Sequence, residues 1–123
     1  MDSFVEMMNE EAASIGATNC HFMNPNGLTQ DDHYVTTYDL YLIFQEAMKY
    51  ELFNQIIQMT SYSTTYMDSL GAEKTLDIQA TNLFLRGDYT APSNITVIGG
   101  KTGTTNAAGH CLILLSRNSN GTP

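Results

Sequence analysis

The chain has 123 residues, of which 42% are apolar, and its 13 acidic and 5 basic side chains give it a net charge of -8. The apolar share is typical of a globular protein and excludes a disordered tail, while the acidic balance disfavours binding to nucleic acid or to anionic membrane surfaces. No stretch has the ~18 consecutive apolar residues of a membrane span, and the N-terminus lacks the basic region of a signal peptide.

The chain opens with a predicted amphipathic helix of about a dozen residues. Ser3 and Glu6 have the spacing of a capping box, apolar residues recur at helical intervals, and Gly16 is expected to end the helix. A long segment rich in Asn, Asp, Pro and Gly follows over residues 18–34. We interpret it as a shaped loop with a turn at Pro25-Asn26-Gly27.

Two further helices are predicted after this loop. Thr36 and Asp39 are interpreted as a second capping box, because they precede an apolar face with helical spacing. A shorter helix is predicted over residues 51–59. The apolar face of the second helix comprises Leu40, Ile43, Phe44 and Ala47, and that of the third comprises Leu52, Phe53, Ile56 and Ile57.

The pattern then changes to one typical of strands. Residues 61–67 alternate and are rich in aromatic and β-branched side chains, and residues 75–85 contain a second short extended piece. Residues 95–105 and 109–117 are predicted to form two strands joined by Asn-Ala-Ala-Gly. Because the apolar run 111–115 does not alternate, we expect that strand to be covered on both faces.

Helices first and strands last is the order of an α+β fold. We therefore expect a helical segment followed by a short antiparallel sheet, forming one partial domain over residues 1–123. Residues 1–60 are expected to be its mainly helical part and residues 61–123 its mainly strand part.

The cysteines and histidines show no metal-ligand pattern. Cys20 and Cys111 are far apart in sequence and form no CxxC motif, so we expect two unpaired thiols, with a disulfide as the alternative. His21, His33 and His110 likewise lack metal-site spacing and are interpreted as structural or surface residues.

Lys101, Thr102 and Gly103 form a Lys-Thr-Gly tripeptide in a glycine-rich segment. In penicillin-recognising serine acyltransferases this motif accompanies a Ser-x-x-Lys and a Ser-x-Asn. The lysine supplies positive charge for a substrate carboxylate, the threonine adds a directional hydrogen bond, and the glycine leaves a strand edge bare for an extended peptide. The tripeptide alone is weak evidence and by itself favours an ordinary exposed lysine beside a glycine bend.

The surroundings of the motif resemble one family. Five segments occur in the order and at about the spacing found in serine-type D-alanyl-D-alanine carboxypeptidases, the low-molecular-weight penicillin-binding proteins of the β-lactamase/DD-peptidase superfamily. The resemblance covers residues 4 to about 118. The segments are FVEMMNEEAASIG (4–16), ATNCHFMNPNGL (17–28), HYVTTYDL (33–40), ATNLFL (80–85) and GGKTGTTNAAGHCLILL (99–115).

The resemblance implies a site on an edge strand. Lys101, Thr102 and Gly103 correspond to the third catalytic motif, and Lys101, Thr102, Thr104 and Thr105 to substrate-binding positions. The backbone N–H of Thr104 is expected to complete an oxyanion hole, although many relatives carry an aromatic residue or histidine there, which leaves the substrate preference open. Neither a metal nor an organic cofactor is implied.

The larger departure from the family pattern is a missing motif. No lysine is preceded by a serine three positions earlier, so the Ser-x-x-Lys nucleophile motif is absent from this sequence. Ser116-Arg117-Asn118 matches Ser-x-Asn but follows the third motif, and we interpret it as coincidence. We therefore expect an internal-to-late fragment of the catalytic domain, truncated at both ends and inactive alone.

The implied activity of the complete enzyme is removal of the terminal D-Ala from peptidoglycan stem peptides through an acyl-enzyme, outside the cytoplasm in a bacterial cell envelope. β-Lactams would be its inhibitors. The alternatives are a β-lactamase or transpeptidase of the same superfamily, or a non-catalytic binding or structural module. For the isolated chain, the missing neighbours of the late strands predict either exposed apolar edges that drive self-association or a rearranged packing.

Overall fold

The computed structural model describes residues 2–121, so positions 1, 122 and 123 of the expected domain lie outside the described part. Its strands pair as two separate two-stranded sheets, β1 with β2 and β3 with β4, within those residues. Helices and short antiparallel sheets in one chain confirm the predicted α+β class. The elements are α1 (Asp2–Ser14), α2 (Thr37–Ala47), α3 (Glu51–Ile57), β1 (Ser61–Met67), β2 (Glu73–Gln79), α4 (Leu83–Arg86), β3 (Ile95–Thr105) and β4 (Gly109–Asn118).

The chain folds as two compact units. The first runs to Phe53 and includes Gly103–Cys111, and the second contains Asn54–Thr102 together with the chain from Leu112 onward. The first unit holds α1, the long loop and α2, and the second holds β1, β2 and α4, while the boundary between Phe53 and Asn54 falls within α3.

Helix α1 ends as predicted but begins earlier. Gly16 has a φ of 87°, the left-handed conformation that suits glycine. The N–H of Ala17 donates to the Ala12 carbonyl over 2.9 Å and that of Gly16 to the Ala13 carbonyl over 3.1 Å, which satisfies the last carbonyls of the helix. Because the helix already begins at Asp2, Ser3 lies inside it, and the predicted capping box at Ser3 is wrong.

The loop after α1 is irregular but densely hydrogen-bonded. The Asn9 side chain pairs with the backbone of Phe22 in both directions: Oδ1 accepts the N–H over 2.8 Å and Nδ2 donates to the carbonyl over 2.9 Å. His21 and Tyr34 form an isolated antiparallel bridge that draws the two ends of the loop together. Gly27, at the predicted turn, has a φ of 76°. These contacts fix the loop without regular secondary structure.

Helix α2 has the capping arrangement predicted from the sequence. The Asp39 N–H donates to the Thr36 hydroxyl over 3.1 Å, and the same hydroxyl donates to the Asp39 carboxylate over 2.5 Å. The carboxylate also accepts the Asn19 N–H over 3.4 Å. Asp39 is buried, so its charge is held by these hydrogen bonds rather than by water.

The third helix is placed correctly, but half of its predicted inward face is wrong. Ile57 is only 7% exposed, and the Phe53 ring lies 5.5 Å from that of Phe44 in an edge-to-face arrangement. Leu52 and Ile56 are 66% and 54% exposed. A helix of two turns presents only one narrow stripe to its neighbours, and the residues four apart on that stripe are Phe53 and Ile57.

The sequence interpretation missed α4. Asn82 accepts the Phe84 N–H over 3.1 Å as its N-cap, and Gly87, with a φ of 83°, is its left-handed C-cap. An asparagine followed five residues later by a glycine is a helix start and stop signal. The extended character assigned to residues 75–85 therefore ends at Gln79, the last residue of β2.

The core is small, and β4 is less covered than predicted. Only Ala12, Ala17 and Ile57 are fully buried apolar residues among those described. Cys111 and Leu112 are exposed, and residues 113–115 are half-buried. The expected double coverage of 111–115 is therefore wrong, because β4 belongs to a two-stranded sheet that leaves much of its surface open.

Candidate active site

The predicted site residues occupy the second half of β3. Lys101, Thr102, Gly103, Thr104 and Thr105 are consecutive residues of this strand, which ends at Thr105. Lys101, Gly103 and Thr104 are exposed, whereas Thr102 and Thr105 are half-buried. Within residues 2–121, β3 pairs only with β4, so the other edge of β3 is not bonded to a strand.

The glycines before the lysine serve close packing. A Cβ built at Gly99 would lie 2.8 Å from the backbone oxygen of Ile57, and one at Gly100 would lie 2.3 Å from that of Ile113. Gly100 also has a φ of 152°. These distances are shorter than any real Cβ contact, so both positions need glycine. Close packing therefore explains Gly99 and Gly100, and a bare edge for substrate does not.

Gly103 differs from these two residues. A Cβ built there would have the Cys111 Cβ, 3.9 Å away, as its nearest neighbour, which is an ordinary contact distance. The fold therefore does not require glycine at this position, and the exposed surface around it is open. A bare strand segment of this kind allows another backbone to approach closely.

Lys101 presents its charge to solvent. Its Nζ donates a short hydrogen bond to the carbonyl oxygen of Thr102, the next residue of the strand. It takes part in none of the ion pairs formed within residues 2–121. An ammonium group that no carboxylate neutralises retains its full attraction for an anion.

Thr102 is contacted by a residue from another part of the chain. Its hydroxyl makes a short hydrogen bond with the hydroxyl of Thr81, which lies between β2 and α4. Thr81 is exposed and directly precedes the buried cap Asn82. The contact places a second hydroxyl beside a predicted substrate-binding hydroxyl.

Two further side chains hold the end of β3. The Thr105 hydroxyl lies 2.7 Å from that of Thr29 in the long loop and accepts the Ala108 N–H over 3.0 Å. The Thr104 hydroxyl lies 3.1 Å from Nδ1 of His110 across the β3–β4 turn. These bonds fix both the strand end and the turn that follows it.

The sequence did not reveal these supporting residues. Thr29, Thr81 and His110 had no predicted role at the site, although Thr29 and Thr81 stand next to or inside segments that carry the family resemblance. The segment ATNLFL offered a signal, because its Asn82 fixes the position of Thr81. Ser116, the first residue of the coincidental Ser-x-Asn match, is half-buried within β4. It follows the Lys-Thr-Gly motif in the sequence, whereas the Ser-x-Asn of the family precedes that motif.

The family model for D-alanyl-D-alanine carboxypeptidase matches residues 1–122. The chain belongs to this family. The match confirms the family that the resemblance predicted.

The curated relatives are much longer than this chain. D-alanyl-D-alanine carboxypeptidase DacF of Bacillus subtilis is 33% identical over 121 residues, a match that covers 97% of this chain and 28% of the relative. The D-alanyl-D-alanine endopeptidase of Escherichia coli is 33% identical over 113 residues, covering 91% of this chain and 33% of that protein. The chain therefore spans about a third of the length of these relatives.

Solved structures show the same fold. The crystal structure of the Streptomyces K15 DD-transpeptidase matches with a TM-score of 0.78 at 30% identity, covering 92% of this chain and 41% of that one. D-alanyl-D-alanine carboxypeptidase of Mycobacterium tuberculosis matches with a TM-score of 0.66 at 30% identity, covering 99% and 48%. The chain thus has the mixed α+β fold of these DD-peptidases.

Other kinds of site are not apparent in the described part of the chain. No three His, Cys, Asp or Glu side chains of residues 2–121 are arranged to hold a metal ion. No described helix is long and apolar enough to cross a membrane. Cys20 and Cys111 are free thiols, Cys20 half-buried and Cys111 exposed.

Proposed function

We propose that this chain supplies the substrate-binding strand of a serine-type D-alanyl-D-alanine carboxypeptidase, a hydrolase that removes the terminal D-Ala from peptidoglycan stem peptides. The observation that carries the proposal is the open second half of β3 in a member of this family. There, a lysine that forms no ion pair within residues 2–121 stands beside a glycine that the fold does not need. Such an enzyme would act outside the cytoplasm, at the bacterial cell envelope.

Each residue has a role that follows from its chemistry. A stem peptide would lie along the free edge of β3 as an added strand, with Gly103 allowing close approach. The Lys101 ammonium attracts the terminal carboxylate, and the Thr102 hydroxyl donates to it. The backbone N–H of Thr104 would stabilise the oxyanion that develops on the scissile carbonyl, and Thr105 would bind substrate beside it.

The chemical steps need a serine that this sequence does not supply. In the complete enzyme, a Ser-x-x-Lys serine would attack the penultimate carbonyl, its proton passing to a base and then to the departing amine of the terminal D-Ala. Water would then hydrolyse the acyl-enzyme and restore the hydroxyl. This chain would therefore bind the peptide without being acylated.

The test is a titration of the 123-residue chain, labelled with nitrogen-15, with N-acetyl-L-lysyl-D-alanyl-D-alanine. We expect amide shifts concentrated in residues 101–105. The same peptide with a C-terminal amide is the matched control, and it should bind several-fold more weakly because it lacks the carboxylate. Absence of shifts in this segment would contradict the proposal and favour a non-catalytic structural module.

The role of Lys101 is tested by Lys101→Met, with Lys74→Met as the control. Lys74 is an exposed lysine of β2 that lies 3.8 Å from the Asp68 carboxylate. We expect Lys101→Met to remove the preference for the acid-terminated peptide and Lys74→Met to preserve it. Equal effects would mean that net charge, and not the site, attracts the peptide.

The missing nucleophile is tested by intact mass after incubation with a penicillin. We expect no covalent adduct, since the sequence has no Ser-x-x-Lys. A one-to-one adduct would show that another serine of this chain is activated.

A DD-transpeptidase is the second candidate, favoured by the structural similarity to the Streptomyces K15 enzyme. The two activities share the acyl-enzyme and differ in whether water or an amine attacks it. A longer protein that contains this segment together with its serine would distinguish them by the product formed when an amine acceptor is added.

A further inference from the structure

We propose that Thr81 is a positioning residue for substrate binding: its hydroxyl donates to the Thr102 hydroxyl and so directs the Thr102 O–H toward the carboxylate of a bound peptide. The inference rests on the proposed function, because it assigns a supporting partner to one of the proposed substrate-binding residues. It starts from the short hydrogen bond between the two hydroxyls.

Thr81 is held in place from both sides. The N–H of Ala80, the preceding residue, donates to the Thr60 carbonyl over 2.8 Å. Asn82, the following residue, is only 3% exposed and caps α4 through the Phe84 N–H. The backbone around Thr81 is therefore anchored, although its own side chain is exposed. An anchored hydroxyl can orient its neighbour at a small cost in conformational entropy.

The direction of the hydrogen bond between Thr81 and Thr102 decides whether the Thr102 proton is available to a ligand. Each threonine hydroxyl has one proton to donate and can accept from others. If Thr102 donates to Thr81, its proton is not available to a ligand. If Thr81 donates to Thr102, the Thr102 proton is free to point outward, and the received hydrogen bond polarises it. A carboxylate, which only accepts, selects the second arrangement.

In this arrangement Thr81 donates to Thr102, and Thr102 donates to the bound anion. A valine at position 81 would keep the shape of the side chain but give Thr102 no donor, so the Thr102 hydroxyl would be free to rotate. A serine at position 81 would keep the donor and lose only a methyl group. The two substitutions thus separate the hydrogen bond from the packing.

The experiment compares the unsubstituted chain with Thr81→Val and Thr81→Ser in titrations with N-acetyl-L-lysyl-D-alanyl-D-alanine. We expect Thr81→Val to weaken binding about three- to tenfold, the size of one neutral hydrogen bond, and Thr81→Ser to retain it. The same samples without peptide report the Thr102 side-chain rotamer through three-bond couplings. Thr81→Val is expected to give averaged couplings, and Thr81→Ser a single rotamer as in the unsubstituted chain.

The two readouts separate failure of this inference from failure of the proposed function. If the unsubstituted chain binds the peptide and Thr81→Val binds it equally well, the positioning role is overturned while the function stands. If no chain binds, the proposed function fails, and the couplings decide about Thr81. Unchanged Thr102 couplings in Thr81→Val would overturn the positioning role, and averaged couplings restored by serine would show that the Thr81 hydroxyl fixes the Thr102 rotamer even without substrate.

Discussion

Both halves of β3 contain glycine, but the glycines of the two halves meet different surroundings. In the first half, Gly99 and Gly100 face the backbone oxygens of Ile57 and Ile113 at distances that exclude any side chain. In the second half, Gly103 has its nearest contact at 3.9 Å. The same residue type thus serves close packing in one half and openness in the other.

This difference teaches how a binding strand can be both fixed and accessible. In the first half, Gly99 and Gly100 join the strand to its surroundings through backbone contacts too close for a Cβ. In the second half, Lys101, Thr102, Thr104 and Thr105 carry polar side chains whose partners are hydroxyl, imidazole and backbone groups. Rigidity comes from the crowded half, and the exposed half remains free to exchange its hydrogen bonds with a ligand.

The strongest test of the comparison is Gly100→Ala. The added methyl would lie 2.3 Å from a backbone oxygen on a residue with a φ of 152°, so the strands would have to separate. We expect a loss of unfolding free energy of about 3 kcal/mol, measured as a lower urea midpoint. If the midpoint falls by much less, β4 can shift away and the crowded half is not rigid.

Gly103→Ala is the matched control. Alanine fits at this position and removes the conformational freedom of a glycine within a strand, so we expect no loss, or a gain of about 0.5 kcal/mol. The same variant should weaken binding of the D-Ala-terminated peptide, since the methyl occupies the open surface. If Gly103→Ala keeps its stability and loses peptide binding, glycine at this position serves the open surface and not close packing.

The open half is also held at its end, and Thr29→Val tests this anchor. The variant removes the 2.7 Å contact between the hydroxyls of Thr29 and Thr105. We expect the free energy of unfolding, measured by urea denaturation, to fall by about 0.5–1 kcal/mol. The loss is small because the site is exposed and water replaces part of the hydrogen bond. Thr29→Ser should restore stability, and if it does not, packing of the valine explains the loss.

The sequence was sufficient to predict most of the fold. Periodicity and capping residues located α2 with its Thr36–Asp39 cap, and the sequence placed the two strands around the Asn-Ala-Ala-Gly turn. The inward face of α3 failed at Leu52 and Ile56, because periodicity does not say how wide a stripe the neighbours will cover. Coverage of β4 failed for a related reason, since an apolar run does not reveal how many strands surround it.

The site was predictable only along the strand. Lys-Thr-Gly is a local motif, so its residues were found by inspection and family resemblance. His110 reaches the strand end from β4, and Thr29 and Thr81 reach β3 from distant parts of the sequence. No spacing rule connects a hydroxyl with a partner 21 or 76 residues away. Long-range side-chain pairs of this kind depend on the tertiary fold.

A smaller effect on stability is expected at β4, where Leu112 is 51% exposed on a strand that pairs only with β3 within the described residues. We expect sedimentation velocity to show that the chain self-associates as its concentration rises. Leu112→Lys should reduce this association and change the free energy of unfolding by less than about 0.5 kcal/mol. Leu70→Lys is the control, since Leu70 is 91% exposed in the β1–β2 turn and not on a strand edge. A larger reduction from Leu70→Lys would move the contact to that turn.

The smallest expected effect is a difference between the rates at which iodoacetamide alkylates the two cysteine thiols at pH 8. Burial, and secondarily the charge of Asp39, raises the pKa of Cys20, so less of this thiol is present as thiolate at that pH. Cys111 is exposed beside Gly103 and should react first. Raising the pH should speed the reaction of Cys20 over a pH range higher than that of an ordinary thiol.

Because Cys111 adjoins the open surface, the D-Ala-terminated peptide should slow its alkylation and leave that of Cys20 unchanged. Equal protection of both thiols would instead indicate a change in the whole fold, and no protection of Cys111 would place the bound peptide away from Gly103.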